Sequence, residues 1–471
     1  MPYAAIESAL ARYHLDRAEA QIGALPAGGY RAFYEATAQM YRYFGSQQPA
    51  DVQRLRASWA GWRSTLDGLP GNDPLRGVMI AELEGKRALI EFLEGNYFTA
   101  VRHAYQARQE ILAAQQRFPA RVEPYKVLGL FNVLLGAVPR RYAWITRNLG
   151  FAGNVQEGMA QLTQASGGRL LPLEAQLLLC YVEKDMLNDA PAALARLQAL
   201  RKAQPANVLL TYFTATALQG AKQNDAALQL LLAGDTQRDT AAAVLPHWDY
   251  LLGKAYYYQN NHRKAKYYFA RFLRGYQGQV FRTDARFRLG MALTFNGQYD
   301  MGQAFFRQAG AAGTGGLDED GYARDMARQF AAAAPAPEVL ALFRARNAYD
   351  GGYYDQALAM LRAWESDFPQ PSPAATIELH YRYGRVFEGL AQYDLAQQHY
   401  ARCVAGPDLQ ASRWLQAYAC YYQGHIARRQ GDVARARQYY EQALRYDDCA
   451  YQNGLENRCK TALQELRQAW R

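Results

Sequence analysis

The sequence predicts an all-α protein: a solenoid of helical hairpins wound into a right-handed superhelix. Three observations predict it. Glycines and prolines recur between long helical stretches, and few segments alternate as strands do. Small and bulky residues repeat in one fixed pattern through the last 300 residues. The composition of the 471 residues is half apolar and one-fifth charged, with only five cysteines. That balance excludes a disordered chain and a disulfide scaffold.

The frame of the pattern is set by Leu252-Gly253-Lys254-Ala255-Tyr256, followed by Ala265 and Phe269. It asks for a small residue at position 8, an aromatic at 11, a small residue at 20 and a bulky one at 24. Repeats start near 174, 207, 246, 283, 338, 377 and 417. Position 8 is then Tyr181, Thr214, Gly253, Gly290, Ala345, Gly384 and Gly424. Position 20 is Ala193, Ala226, Ala265, Gly302, Ala357, Ala396 and Ala436. Position 24 is Leu197, Leu230, Phe269, Phe306, Leu361, Tyr400 and Tyr440. Small residues let the two helices of a hairpin approach, and the bulky residue fills the gap to the next hairpin. Pro205 and Pro369 end helices at position 32, and turn signals precede Tyr299, Tyr354 and Asp394. A weaker copy runs from Asn96-Tyr97 through Ala100 and Ala104. This pattern resembles the tetratricopeptide repeat.

The organisation that follows has five parts. Residues 1–120 hold N-terminal helices with a degenerate hairpin, and 121–170 an atypical helical joint. Residues 171–309 are repeats, 310–337 an inserted loop with a short helix from Tyr322 to Ala332, and 338–471 repeats with a capping helix. The acidic trio Asp318-Glu319-Asp320 reads as linker, because the ligand spacing of a calcium loop is missing. In the joint, an apolar helix should end near Gly136. Pro139 should open a second helix, Asn154 should cap a third, and Phe131, Trp144 and Phe151 should cluster. Phe131, Asn132, Pro139, Leu149, Gly150, Phe151, Gly153 and Gly158 resemble a pattern of the tetratricopeptide-39-like, inclusion-body-clearance family and of related uncharacterised bacterial proteins. In that family the pattern goes with roles near lipid droplets and organelle membranes. The chain shows no anchor of its own, so that role is not expected to transfer.

Motifs for chemistry are missing. The seven histidines have no metal-ligand spacing on one helix face, and no nucleophile-elbow, dinucleotide or phosphate loop occurs. No enzyme activity, cofactor or metal is expected. Cys180, Cys403, Cys420, Cys449 and Cys459 read as reduced thiols, with Cys403–Cys420 or Cys449–Cys459 as the bridges open to an oxidising compartment. The longest apolar run, Val127 to Val138, is too short to span a membrane. A soluble protein is expected, with the cytoplasm favoured; an exported mature form trimmed of its leader would read the same.

Function must then lie in binding. The net charge of +10 is concentrated between Lys254 and Arg288, which holds nine basic residues and one acid, Asp284. In a tetratricopeptide stack, positions 2, 5, 9, 12 and 13 of the first helix line the concave groove. The candidate partner-binding residues are therefore Tyr250, Lys254, Tyr257, Arg346, Tyr381, Arg385, Tyr421, His425, Arg428 and Arg429. A cationic row flanked by tyrosines suits an extended acidic peptide or protein segment. Two other readings stay open. One is a lipid or apolar-ligand module around residues 131–151. The other is nucleic-acid binding through 254–288, against which Phe269 counts because it occupies a core position.

Overall fold

The computed structural model describes residues 2–136, 153–187, 189–237, 245–313, 318–446 and 449–468. They form an all-α solenoid of helical hairpins with no strand among the described residues. The first eight helices are α1 (Pro2–Ala11), α2 (Leu15–Gly23), α3 (Gly29–Ser46), α4 (Pro49–Asp67), α5 (Arg76–Leu93), α6 (Tyr97–Arg117), α7 (Pro124–Gly136) and α8 (Val155–Ala165). Next come α9 (Pro172–Tyr181), a π-helical turn (Val182–Met186), α10 (Ala190–Ala203), α11 (Val208–Gly220), α12 (Asn224–Gln237), α13 (His247–Tyr258) and α14 (His262–Gly275). The remainder are α15 (Arg282–Phe295), α16 (Tyr299–Gly310), α17 (Asp318–Ala332), α18 (Pro337–Gly351), α19 (Tyr354–Asp367), α20 (Pro373–Gly389), α21 (Tyr393–Val404), α22 (Arg413–Arg429), α23 (Val433–Ala443) and α24 (Gln452–Gln468). Contacts divide the chain into two compact units. The first holds residues 1–217, 230–248 and 274–279; the second holds 218–229, 249–273 and 280–471.

Within the first unit, consecutive helices from α1 to α10 pack in chain order. Helix α7 is described as far as Gly136, and Asn154 caps α8 by accepting the Glu157 N–H at 3.1 Å. These two helices cross glycine on glycine. A methyl group at Gly158 would lie 2.7 Å from the Gly129 carbonyl oxygen, and one at Gly129 would lie 2.8 Å from that of Gly158. Lys126 ties three helices together, meeting Glu82 at 2.7 Å and Glu174 at 3.0 Å. The expected second helix at Pro139, and the cluster around Trp144 and Phe151, lie outside the described residues.

In the second unit α15 packs on α16, α18 on α19, α20 on α21 and α22 on α23, and the first helices stack in turn, α18 on α20, α20 on α22 and α22 on α24. Every turn between the two helices closes the same way. Position 15 takes a left-handed conformation at Asn260, Gly297, Gly352, Ala391 and Gly431. The N–H at position 16 then bonds back to the carbonyl at position 11, as from Gln392 to Phe387 at 2.8 Å and from Asp432 to Ala427 at 2.9 Å.

The structure corrects two repeats. Lys222 is the left-handed residue of the α11–α12 turn, so the frame starts at 208 and not 207. Position 8 is Ala215, not Thr214. Ala227 and Leu231 are fully buried at positions 20 and 24, whereas Ala226 is exposed. In the repeat before it, the π-turn absorbs one extra residue. Cys180, buried, takes position 8, and Tyr181 is exposed.

The corrected frame shows a size rule. Where position 24 is aromatic (Phe269, Phe306, Tyr400, Tyr440), position 8 is glycine, and a methyl group there would lie 2.5–2.8 Å from the ring. Where position 24 is leucine (Leu197, Leu231, Leu361), position 8 is Cys180, Ala215 or Ala345. Close packing thus distributes one fixed volume between two positions.

The inserted helix α17 starts at Asp318, not Tyr322, so the acidic trio forms its first turn and not a linker. Asp320 is buried and accepts the backbone N–H groups of Phe281 at 2.8 Å and Asp284 at 2.9 Å, which holds the start of α15. The five cysteines are free thiols, Cys449 half-buried and the others buried.

Candidate functional site

The first helices of the second unit carry a continuous ladder of cations and tyrosines. It begins at Lys254, whose ammonium stands 5.5 Å from the Tyr250 ring and 5.9 Å from that of Tyr258. Tyr250 is buried, stacks on Phe281 and donates its hydroxyl to Asp284 at 2.7 Å. Asp284 also accepts from Arg288 at 2.6 Å, and the Arg288 guanidinium lies over the rings of Tyr257 and Tyr258. Arg346 follows, 4.4 Å above the Tyr322 ring and bonded to its hydroxyl, with Asp350 at 3.6 Å. Asp350 pairs with Lys222 at 2.8 Å, and Lys222 sits over Tyr349.

Arg385 is the centre of the far half. It lies 3.5 Å over Tyr422, bonds the Tyr349 hydroxyl at 2.5 Å and pairs with Glu388 at 3.0 Å. Glu388 also accepts from Tyr400 at 2.8 Å and meets His425 Nδ1 at 3.2 Å. Burial pushes the Glu388 carboxyl up, but Arg385 and these hydrogen bonds outweigh it and hold it below the usual carboxylate range. Burial likewise opposes ionisation of Asp350, and Lys222 with Arg346 overcomes it. Arg458 on α24 closes the row, 6.0 Å from the Tyr418 ring.

Six cations here (Lys222, Lys254, Arg288, Arg346, Arg385, Arg458) therefore face three carboxylates (Asp284, Asp350, Glu388). Among the described residues no carboxylate lies within ion-pair distance of Lys254 or Arg458, and both are partly exposed. Arg385 and Arg346 keep 16% and 21% of their side chains exposed, so the ladder is reachable while its rungs are fixed. Such a surface attracts negative charge, while the rings of Tyr250, Tyr257, Tyr258, Tyr349 and Tyr422 are buried beneath the cations and hold them in place.

The expected residues divide clearly. Tyr250, Lys254, Tyr257, Arg346, Arg385 and His425 join the ladder. Tyr381 is buried beside Tyr400, Tyr422 and Trp414. Tyr421 is buried against Tyr440. Arg428 and Arg429 lie at the exposed end of α22, Arg428 paired with Glu465 and Arg429 over Tyr393 of a second helix. Sequence reading missed Lys222, Asp350, Glu388, Tyr322 and Arg458 as site residues, and named Arg288 only within the basic 254–288 window. Asp350 and Glu388 fall at positions 13 and 12, groove positions that the frame itself names. In the basic 254–288 window, Arg271 pairs with Asp249 and Arg288 with Asp284, which leaves less free charge than composition implies. Of the apolar-ligand reading, Phe131 is half-buried, while Trp144 and Phe151 lie outside the described residues.

The first unit holds a separate cleft of about 650 Å³ lined by Trp59, Arg63, Glu84, His103, Tyr105 and Glu110. Arg63 bonds Glu84 at 3.0 Å, Glu110 at 2.7 Å and Asp67 at 3.0 Å, and His103 meets Glu84 at 2.5 Å. Arg63, His103 and the carboxylates of the cleft thus satisfy one another. Among the described residues no three His, Cys, Asp or Glu side chains gather as a metal site, and no helix is long and apolar enough to cross a membrane.

Comparison with known proteins gives a family match to one part of the chain. The model described as "Tetratricopeptide repeat" matches residues 417–448, the span of α22 and α23. No curated protein matches the sequence. Among solved structures, a tetratricopeptide repeat protein from Parabacteroides merdae is 13% identical over 62% of this chain and 98% of its own, with a TM-score of 0.25. A human IFIT1 dimer with PPP-AAAA is 14% identical over 93% of this chain and 94% of its own, with a TM-score of 0.32. The P58(IPK) TPR domain is 12% identical over 83% of this chain and 99% of its own, with a TM-score of 0.23.

Proposed function

We propose that this chain, a tetratricopeptide-repeat protein, is a non-enzymatic interaction scaffold whose second unit binds an extended acidic segment of a protein partner along the ladder from Lys254 to Arg458. One observation carries the reading: six cations stacked on tyrosines face three carboxylates, so the surface keeps a positive surplus after its internal pairs are made. Internal pairs fix the rungs before a partner arrives, which lowers the entropy cost of binding. The buried rings beneath the cations hold them in position. A carboxylate-bearing strand matches both features, and Lys254 and Arg458 are its first contacts.

The test is a charge reversal at the two ends, Lys254→Glu with Arg458→Glu. Neither side chain belongs to an internal ion pair, so the helical circular dichroism should be unchanged. Fluorescence anisotropy of a labelled decaglutamate peptide should weaken at least tenfold, with parallel loss of acidic proteins from a native-lysate pull-down. Undiminished peptide binding by the double variant removes the ladder from the binding surface. Tighter binding of a single-stranded oligonucleotide than of the peptide by the unaltered chain would transfer the surface to nucleic acid.

A further inference from the structure

His380 on α20 and His399 on α21 face each other across one hairpin. Their Nδ1 atoms lie 3.2 Å apart, with ring centroids at 5.3 Å and planes inclined by 53°. In the metal-free chain one ring donates an N–H to the lone pair of the other. The same separation suits two ligands of one ion. Metal–nitrogen bonds of about 2.0–2.1 Å place two neighbouring nitrogens roughly 2.8–3.0 Å apart around a tetragonal ion and roughly 3.3–3.4 Å apart around a tetrahedral one, so the observed separation lies between the two.

The surroundings fix these rings. His399 packs against Tyr383 at 4.6 Å and Phe387 at 5.4 Å, and the Tyr383 hydroxyl is itself held by Glu365 at 2.6 Å. His380 opens on a cavity of about 310 Å³ lined also by Thr376, Arg402, Pro371 and Pro407. Among the described residues no third His, Cys, Asp or Glu completes a protein ligand set. The remaining coordination positions therefore belong to water, which the cavity admits to His380.

We propose that His380 and His399 form a two-histidine site for a late divalent transition-metal ion, bound through both Nδ1 atoms and completed by water. Imidazole ligands select this class over magnesium or calcium, and copper(II) binds tightest among its members. An ion held by both helices clamps the hairpin, so binding also raises thermal stability.

The test uses the full chain without an affinity tag. Titration with copper(II) should show one saturable equivalent, with an electron paramagnetic resonance spectrum of two equatorial nitrogens. His380→Ala and His399→Ala should each weaken that equivalent at least tenfold and abolish the metal-dependent rise in melting temperature, while His14→Ala in the first unit leaves both intact. Unaltered binding in the first two variants, a spectrum without two nitrogens, or no saturable binding up to millimolar metal overturns the site. The spectrum of the unaltered chain decides the matter even where a variant folds poorly.

Discussion

Gly253 and Phe269 share one volume: a methyl group on Gly253 would stand 2.7 Å from a ring carbon of Phe269. The same contact recurs from Gly290 to Phe306, Gly384 to Tyr400 and Gly424 to Tyr440. Gly253→Ala should therefore destabilise the chain by about 1–2 kcal/mol, the overpacking cost less the helix propensity that alanine gains. Phe269→Leu alone should cost about 1–3 kcal/mol through the cavity it leaves. The double variant reproduces the Ala345–Leu361 pair of another repeat and should recover at least about 1 kcal/mol of the summed losses. Urea unfolding of the four proteins measures the coupling. Simple additivity would separate the two positions.

Gly158 makes a stricter demand, because its neighbour is backbone. The Gly129 carbonyl cannot rotate away from a methyl group 2.7 Å distant. Gly158→Ala should cost about 2–3 kcal/mol. Gly61, in the middle of α4, has nothing within 4 Å, and Gly61→Ala should stabilise by roughly 0.5–1 kcal/mol. Melting temperatures that shift in the same direction in both variants would refute the crossing argument.

The repeat was legible in the sequence because small and bulky residues alternate at fixed intervals, and one family match covers 417–448. Its register was not legible everywhere. Ala226-Ala227 and Leu230-Leu231-Leu232 offer the frame equivalent residues side by side, so composition cannot choose between them. The left-handed Lys222 chooses, and nothing in a lysine announces that conformation. The π-turn at Val182–Met186 contains no glycine or proline, so the extra residue was invisible. In the ladder, Lys254, Arg346 and Arg385 were readable from groove positions, and Asp350 and Glu388 occupy such positions too, but Lys222, Arg288 and Arg458 lie outside them. Lys222 meets Asp350 across 128 residues, a separation that no local pattern encodes.

Arg385 holds the far half of the ladder together, so its loss should be structural as well as functional. Arg385→Ala leaves Glu388, 15% exposed, with only Tyr400 and His425. A stability loss of about 2 kcal/mol is expected, reduced from the fully buried case by partial solvent access. Arg385→Met with Glu388→Gln removes both charges and should recover most of it. Chemical denaturation of the three proteins checks this; a double variant no more stable than Arg385→Ala would place the cost in packing.

His262 makes stability depend on pH. It is buried between Phe295, stacked at 4.2 Å, and Tyr257, and neither ring nitrogen has a hydrogen-bond partner among the described residues. Burial, then the nearby Arg344 guanidinium, pushes it down to about 4. The folded state thus keeps the ring neutral while the unfolded chain takes up a proton near pH 6.5. Its stabilising share is complete above pH 6.5, shrinks as the pH falls, and is gone below about 4. His262→Phe removes both the unpartnered nitrogens and the titration. It should stabilise by about 1 kcal/mol at pH 7.5 and by a further 2 kcal/mol or so near pH 4.5. Urea unfolding at the two pH values measures the difference between variant and parent. Because the carboxylates are common to both proteins, a difference that does not change with pH would mean that His262 ionises in the folded chain as it does in water.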